Sequence, residues 1–397
     1  MNNGFLRADG RKGIRNVVAV VYLVECAHYV AREIVYPFRE HGVHLLGFPG
    51  CFPNPYAHRM LRQLCTHPNV GGVLLISLGC EGFAREKLLE EIRASGRAAE
   101  TLVIQESGGT RRTIDEGRRL AESLRKSADA CDSVPFGVAE LIVGTICGGS
   151  DATSGITANP AVGRAFDRLV ADGARAIFEE TGELIGCETI MAARAARPEL
   201  GAALTECVGK AARYYAALGH GSFAPGNAEG GLTTLEEKSM GAYSTSGRSP
   251  ISGILQPGDV PPRTGLYLLD VVPDGEVRWG FPNISDVQEI GELIACGAHV
   301  ILFTTGRGSV VGSAVSPVIK ICANPETFRR LRDDMDIDAG RILEGRATLA
   351  EIGAEIYDRV LATADGQPTA SEALGHAEFS LVYKSFEPLG PSCLAQG

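Results

Sequence analysis

The sequence contains no long hydrophobic stretch and no excess of positive charge. None of its apolar runs reaches the roughly 18 to 20 residues of a membrane span, and the first sixteen residues contain no apolar signal-peptide core. Lys and Arg number 38 against 48 Asp and Glu, a net charge of −10, which disfavours nucleic-acid binding through a generally basic surface. These absences predict a cytoplasmic protein that binds neither a membrane nor a nucleic acid.

Several motifs of known catalytic and cofactor sites are also missing. Without a CxxC pair there is no support for a zinc ribbon or a thioredoxin-type site. No GxSxG is present and no GxGxxG follows the first predicted strand, which disfavours an α/β-hydrolase and a standard dinucleotide fold. The eight histidines form no HExxH. Eleven cysteines, an odd number, argue against a disulfide framework in a cytosolic chain.

Short apolar runs rich in Val, Ile and Leu alternate along the chain with segments of helical pattern, which predicts parallel sheets with helical crossovers. The predicted strands are 17–24, 43–48, 70–78, 101–105, 141–146, 176–178, 266–272 and 299–303. A polar stretch, 127–135, separates the first four from the others. We therefore predict an α/β fold of two parallel-sheet (Rossmann-like) domains, residues 1–130 and 131–397, with most site motifs in the second. A long irregular segment rich in Gly and Pro is expected at 220–264.

Ligands of open α/β sheets bind beyond the carboxyl ends of the strands, and two glycine-rich segments follow predicted strands there. Residues 147–151, CGGSD, offer a thiol, a hydroxyl and a carboxylate, although a plain turn with Ser150 or Asp151 capping a helix is equally compatible. Residues 304–309, TTGRGS, lack the Lys-Ser/Thr ending of a P-loop. We favour anion binding there, with Arg307 holding a carboxylate or sulfonate, over a turn with a solvated arginine.

Charged residues in two further segments could carry chemistry. The carboxylates of EETGELIGCE, 179–188, suit a divalent metal or acid–base work, or form a solvated acidic turn. Lys238 could supply a base, since a buried lysine shifts its pKa readily, or could belong to a charged helix surface. Thiols, carboxylates and an anion-binding arginine together fit metal-assisted proton abstraction beside a carboxylate.

The same segments resemble the altronate/galactarate dehydratase family nearly end to end. This resemblance implies a lyase that uses a divalent metal, usually Fe²⁺, with Mn²⁺ or Mg²⁺ as alternatives. It also implies β-elimination from a small 2-hydroxy acid, giving an enol that becomes a 2-oxo acid. The matching stretches are 7–16, 66–81, 148–167, 225–242, 301–330 and 333–340.

One branch of the family, the (R)-sulfolactate sulfo-lyases, resembles this chain at 47–54 and 273–286. That branch implies elimination of bisulfite from (R)-3-sulfolactate to give pyruvate, and a separate small β-rich subunit as partner. Thr189 stands where the sugar-acid members usually carry a histidine, so no histidine role carries over to that position. The alternatives are a sugar-acid dehydratase, an iron–sulfur dehydratase, and a non-catalytic organic-acid binding or scaffold subunit; a homo-oligomer is also open.

These arguments give three groups of candidate site residues. The metal-side residues are Cys147, Asp151, Glu179 and Glu183, with Cys80 and Glu81 opposite. The substrate-binding residues are Ser150, Ser154, Thr304, Thr305, Gly306, Arg307, Gly308 and Ser309. The candidate base is Lys238 or Lys320, with Glu236 in reserve.

Overall fold

The computed structural model describes residues 4–219, 225–273 and 285–384. The strands are β1 (Gly4–Leu6), β2 (Lys12–Gly13), β3 (Val17–Tyr22), β4 (Val43–Gly47), β5 (Val70–Ser77), β6 (Ala98–Val103), β7 (Ser133–Val134), β8 (Ile142–Cys147), β9 (Arg175–Phe178), β10 (Ile251–Leu255), β11 (Gly265–Leu269), β12 (Val300–Thr305), β13 (Val318–Cys322) and β14 (Ile337–Asp338). The helices are α1 (Glu25–Val35), α2 (Pro55–Cys65), α3 (Arg85–Ala94), α4 (Thr110–Asp129), α5 (Ala158–Ala171), α6 (Glu188–Ala193), α7 (Pro198–Leu218), α8 (Pro225–Glu229), α9 (Leu235–Ser244), α10 (Asp286–Ala295), α11 (Pro325–Arg330), α12 (Leu349–Ala364) and α13 (Ala370–Leu374).

Two parallel sheets form the frame of the molecule. The first has the order β4-β3-β5-β6, and the second has the order β10-β11-β9-β8-β12-β13-β14. Their central strands are apolar on both faces, as expected where helices cover both sides of a parallel sheet. A small antiparallel sheet, β2-β1-β7, joins the amino-terminal segment to the stretch that follows α4.

A single apolar core connects the two parallel sheets. Helix α2 contributes Leu61 and Leu64 to it, and helix α10 contributes Leu293 and Ile294. A second core lies on the other face of the seven-stranded sheet, where α5 packs against α12. Buried side chains therefore pack against both faces of the seven-stranded sheet.

The predicted fold class of two α/β units with parallel sheets is confirmed. The four-stranded sheet uses only residues before 130 and the seven-stranded sheet only residues after 131, while the boundary itself stays a prediction. The segment expected to be irregular differs from the prediction, because α8, α9 and β10 lie within it. Residues 274–284, part of the stretch that resembles the sulfo-lyases, lie outside the described residues. No helix in the described ranges is long and apolar enough to cross a bilayer.

Candidate active site

A cavity of about 370 Å³ opens between the turn after β8 and helix α9. Its volume suits a small organic acid. Ile156 and Met240 at its edge are 57% and 53% exposed, so the cavity is open to solvent. Its lining consists of Ser150, Ala152, Ser154, Gly155, Ile156, Asn159, Leu232, Glu237, Lys238, Met240, Gly241 and Ser244.

Lys238 and Ser150 form the polar floor of this cavity. The Lys238 ammonium donates a hydrogen bond to the Ser150 hydroxyl over 2.8 Å and forms an ion pair with Glu183. Helix α9 places Lys238 there because Thr234 caps its amino end, accepting a hydrogen bond from the Glu237 amide. The lysine is buried, and its charge therefore acts on any ligand in the cavity with little screening by water.

The negative neighbours of Lys238 keep it protonated. Burial alone would lower its pKa, but Cys147, Glu183 and Glu180 outweigh burial and raise the pKa above its ordinary value. The side chain is therefore a fixed cation when the cavity is empty. This favours a role in holding negative charge over the predicted role of a base.

Cys147 contacts the Ser150 side chain but does not itself line the cavity. Its sulfur is 2.7 Å from the Ser150 hydroxyl and 4.0 Å from the Lys238 ammonium, and the Asn159 amide donates to it over 3.5 Å. The backbone N–H of Cys147 donates a hydrogen bond to the Glu180 carboxylate. The Cys147 sulfur is therefore in contact with a hydroxyl, an amide and a cation at the edge of the cavity floor.

Glu180 holds a strained backbone conformation next to this group. Its φ of 89° makes it the one non-glycine residue with positive φ in the part of the chain that the structure describes. A left-handed conformation costs a residue with a Cβ on the order of 1–3 kcal/mol, and such strain concentrates at functional sites. The strain marks the turn after β9 as part of the site.

A group of buried carboxyls extends from this turn to helix α10. Neither carboxylate oxygen of Glu179 has a hydrogen-bond partner, although the residue is 1% exposed. Burial, and then the charges of Glu179 and Asp286, raise the pKa of Glu289 well above its usual range, with Lys384 opposing them. Burial likewise raises the pKa of Glu179. Burial therefore favours the neutral, protonated form of these carboxyls in the folded chain.

Stability should fall as the pH rises from the unfolded-state pKa of Glu289 to its raised folded-state pKa. Because the folded-state pKa exceeds the unfolded value, this group contributes stability below the unfolded pKa and loses it as the pH passes the folded one. Glu289→Gln should therefore increase the free energy of unfolding progressively with pH, by up to about 1.4 kcal/mol per pH unit. Urea unfolding between about pH 5 and 8, with the exposed Glu86→Gln as control, measures this. A difference that does not vary with pH would contradict it.

Asp151 and the 304–309 segment form a second polar group beside the cavity. The Asp151 carboxylate accepts hydrogen bonds from Thr153 at 2.6 and 2.8 Å and from Asn324 at 3.0 Å. A Cβ on Gly306 would collide with this carboxylate, so only glycine allows the approach. Arg307 Nη1 forms an exposed ion pair with Glu229 and donates to the Gly226 carbonyl of α8, and the role of Arg307 in anion binding stays a prediction.

Of the remaining substrate-binding candidates, one lines the cavity and the others are buried or form hydrogen bonds within their own turn. Ser154 lines the cavity, and its hydroxyl accepts a hydrogen bond from the Asp151 amide. Thr304 is fully buried, with no hydrogen-bond partner for its hydroxyl. The Thr305 hydroxyl accepts from the Gly308 amide, and the Ser309 hydroxyl from the Val311 amide, so both stabilise their own turn.

Four of the predicted residues neither line the cavity nor contact Ser150, Cys147 or Lys238 in the described hydrogen bonds and ion pairs. Lys320 is fully buried on β13, with its ammonium 3.4 Å from the ring of His376. Glu236 is exposed on the first turn of α9 and does not line the cavity. Cys80 and Glu81 follow β5 in the other sheet, where Glu81 bonds to Ser77 and to the Gly79 amide. Their predicted roles have no support from contacts with Lys238 or Cys147.

The six predicted metal-side residues do not form one ligand set. In residues 4–219, 225–273 and 285–384, no three His, Cys, Asp or Glu side chains are arranged to hold a metal ion. The Asp151 carboxylate accepts hydrogen bonds from Thr153 and Asn324, and the Glu183 carboxylate forms an ion pair with Lys238. The predicted set therefore does not fit a divalent ion, and the requirement for one stays a prediction.

Sequence reasoning did not select several polar residues of the site. Asn159 bonds to Cys147, and Asn227 donates to the Ser150 carbonyl. The acidic face of α10 was overlooked because the helix itself was not predicted. The residues missed are Asn159, Glu180, Asn227, Asp286, Glu289, Glu292 and Lys384. An acidic residue at every third position of an otherwise apolar helix was the signal for three of them.

Two family models match most of this chain. Residues 138–386 match the family model described as D-galactarate/Altronate dehydratase, C-terminal. Residues 4–129 match that of the second domain of D-galactarate dehydratase/Altronate hydrolase. Together these matches cover both parallel sheets and the candidate active site.

Curated relatives extend over most of the chain. The (2R)-sulfolactate sulfo-lyase subunit beta of Chromohalobacter salexigens is 34% identical, covering 95% of this chain and 96% of that protein. The altronate dehydratase of Bacillus subtilis is 29% identical, covering 96% of this chain and 77% of its own. The galactarate dehydratase of Escherichia coli is 33% identical over 78% of this chain and 59% of its own. All three are named as lyases or dehydratases, and the predicted enzyme class is thereby confirmed: this chain belongs to the D-galactarate/altronate dehydratase family.

Proposed function

We propose that the chain catalyses β-elimination from a small 2-hydroxy acid, most specifically (R)-3-sulfolactate to pyruvate and bisulfite. The observation that carries the proposal is the buried ammonium of Lys238 on the floor of a cavity sized for such a substrate. A lysine cation there would offset the negative charge that develops on the substrate carboxylate when the adjacent C2 proton leaves. The same charge would draw the acid into the cavity.

Ser150 and Cys147 would move the C2 proton. The Ser150 hydroxyl faces the cavity and lies 2.7 Å from the Cys147 sulfur. As the C2–H bond breaks, its proton passes to the Ser150 oxygen while the serine proton passes to the Cys147 thiolate. The C2–H electron pair becomes the C2–C3 double bond, and the leaving group departs with the electron pair of its bond to C3. The resulting enol takes up a proton at C3 and loses the proton of its C2 hydroxyl, so that a C2 carbonyl forms and the product is the 2-oxo acid.

The leaving group and the partner are proposed from the relatives. The sulfo-lyase relative is named a beta subunit, which supports a separate small subunit as partner of this chain. Relatives named altronate and galactarate dehydratase keep elimination of water from a sugar acid as the alternative reaction. A cytoplasmic location and a divalent cation, Fe²⁺ or else Mn²⁺ or Mg²⁺, are further parts of the proposal, and no step above passes through the cation.

An anaerobic assay with ferrous iron tests the proposal. Purified chain, with and without a candidate small β-rich subunit, is given (R)-3-sulfolactate, altronate or galactarate. We expect sulfite and pyruvate in equal amounts from sulfolactate alone. A 2-oxo-3-deoxy sugar acid from either of the others would favour the alternative reaction. No product from any substrate with the partner present would contradict an elimination and favour a binding role.

A further inference from the structure

Three exposed cysteines lie on one edge of the four-stranded sheet. Cys26, Cys51 and Cys80 are the exposed cysteines among the ten that the structure describes, whereas the other seven are buried or half-buried. They follow β3, β4 and β5, which are adjacent in the order β4-β3-β5. Exposed thiols are prone to oxidation, so three of them at the ends of neighbouring strands indicate a functional role.

Backbone hydrogen bonds connect the three loops that carry these cysteines. The Glu25 amide, next to Cys26, donates to the Pro49 carbonyl over 3.1 Å. The Gly82 amide, two residues after Cys80, donates to the carbonyl of Cys51 itself over 2.8 Å. The parallel ladder thus delivers all three thiols to a single patch, at the carboxyl ends where α/β sheets bind ligands.

The edge is rigid and lies close to the candidate active site. Tyr383 packs against Phe48 and Gly50 in the loop of Cys51. The next residue, Lys384, forms a buried ion pair with Glu292 of α10, and its charge acts on Glu179 and Glu289. The Tyr383–Lys384 segment therefore contacts both the three-cysteine edge and helix α10, whose Asp286 interacts electrostatically with Lys238.

We propose that Cys26, Cys51 and Cys80 bind an iron–sulfur cluster. Thiolates are the protein ligands of such clusters, and a cluster is larger than one ion, so its ligands need not converge on a point. In the described residues no three side chains are arranged around a single ion, so the three thiols are not placed as the ligands of one mononuclear metal. Three thiolates leave one iron of a four-iron cluster open to a hydroxyl or carboxylate oxygen. This inference does not depend on the catalytic groups proposed above.

Anaerobic purification of the full chain with its partner, followed by iron and acid-labile sulfide analysis, tests the cluster. We expect near-equal iron and sulfide, the broad visible absorption of a cluster, and its bleaching by dithionite. Cys26→Ala, Cys51→Ala and Cys80→Ala should each lose most of the iron, sulfide and absorption. Cys131→Ala is the matched control, since Cys131 is half-buried at the opposite edge, beside Arg7.

Three results would overturn the cluster. One is the absence of iron and sulfide after reconstitution with ferrous iron and sulfide. Another is a bound metal ion without sulfide. The third is a Cys51–Cys80 disulfide in protein kept anaerobic and reduced. Each variant's circular dichroism and thermal unfolding separate loss of the cluster from loss of the fold. A chain that holds the cluster but eliminates nothing would contradict the proposed function alone, and an active chain without iron and sulfide would contradict the cluster alone.

Discussion

Lys238→Gln is expected to lower kcat about 10²- to 10⁴-fold, the range for removing a positioned acid–base or charge-stabilising group. The ammonium is the buried cation that touches both Ser150 and Glu183 at the cavity floor. Glutamine keeps the length and a donor but loses the charge that would hold the enolate. Steady-state kinetics on the substrate identified by the anaerobic assay measures the loss.

Two further variants make the Lys238 result interpretable. Removing the cation leaves Glu183 and Glu180 uncompensated, so Lys238→Gln should also unfold at lower temperature. Lys238→Arg keeps the charge and should recover part of both stability and activity. Lys126→Gln replaces an exposed lysine and should change neither. If Lys238→Gln stays within about tenfold of the wild type, a difference of about 1.4 kcal/mol, the assignment of the cavity floor is wrong.

Lys384→Met is expected to destabilise the folded chain by about 3–5 kcal/mol. The Lys384 ammonium donates to both oxygens of Glu292, at 2.7 and 2.9 Å, and both side chains are fully buried. Methionine would leave the Glu292 carboxylate buried without the lysine cation, beside the Tyr56 hydroxyl that donates to it over 2.6 Å. Chemical denaturation of the single variant measures the cost.

A double-mutant cycle separates the ion pair from lost packing. Glu292→Gln keeps an acceptor for Tyr56 while it removes the charge, so Lys384→Met combined with Glu292→Gln should recover most of the stability. A double variant as unstable as the sum of the two single variants would contradict the assignment. The exposed pair Arg119 and Glu116 is the control, and its removal should cost less than about 1 kcal/mol.

The parallel strands were predictable because their apolar runs are nearly continuous, and strands such as β3 and β5 begin at the residue expected from the sequence. Helix α7 was missed despite Pro198 at its first turn and Gly219 at its carboxyl end, both standard boundary signals. Its composition, rich in Ala and polar residues, lacked a strong apolar period. The strand β13 was missed because Lys320 interrupts its apolar run.

The site was predictable only in part, for a reason rooted in topology. The motif at 147–151 and Lys238 come together because helix α9 packs beside the turn after β8. From the sequence, each of them indicated a reactive group but did not show which residue it contacts. The sequence could not show that the Arg307 guanidinium pairs with the Glu229 carboxylate. Nor could it show that the Asp151 carboxylate accepts hydrogen bonds from Thr153 and Asn324. Hydrogen-bond partners far apart in the chain depend on the packed fold, which spacing along the sequence does not encode.

Because Glu180 has a left-handed backbone conformation, we expect selection for stability and selection for activity to enrich different residues at this position. A library selected for thermal stability should enrich glycine at this position, since glycine removes both the conformational cost and a buried carboxyl whose pKa is raised by burial. A library selected for turnover should retain glutamate, because its carboxylate holds the Cys147 amide. At position 180, a substitution that raises thermal stability is thus expected to lower catalytic activity.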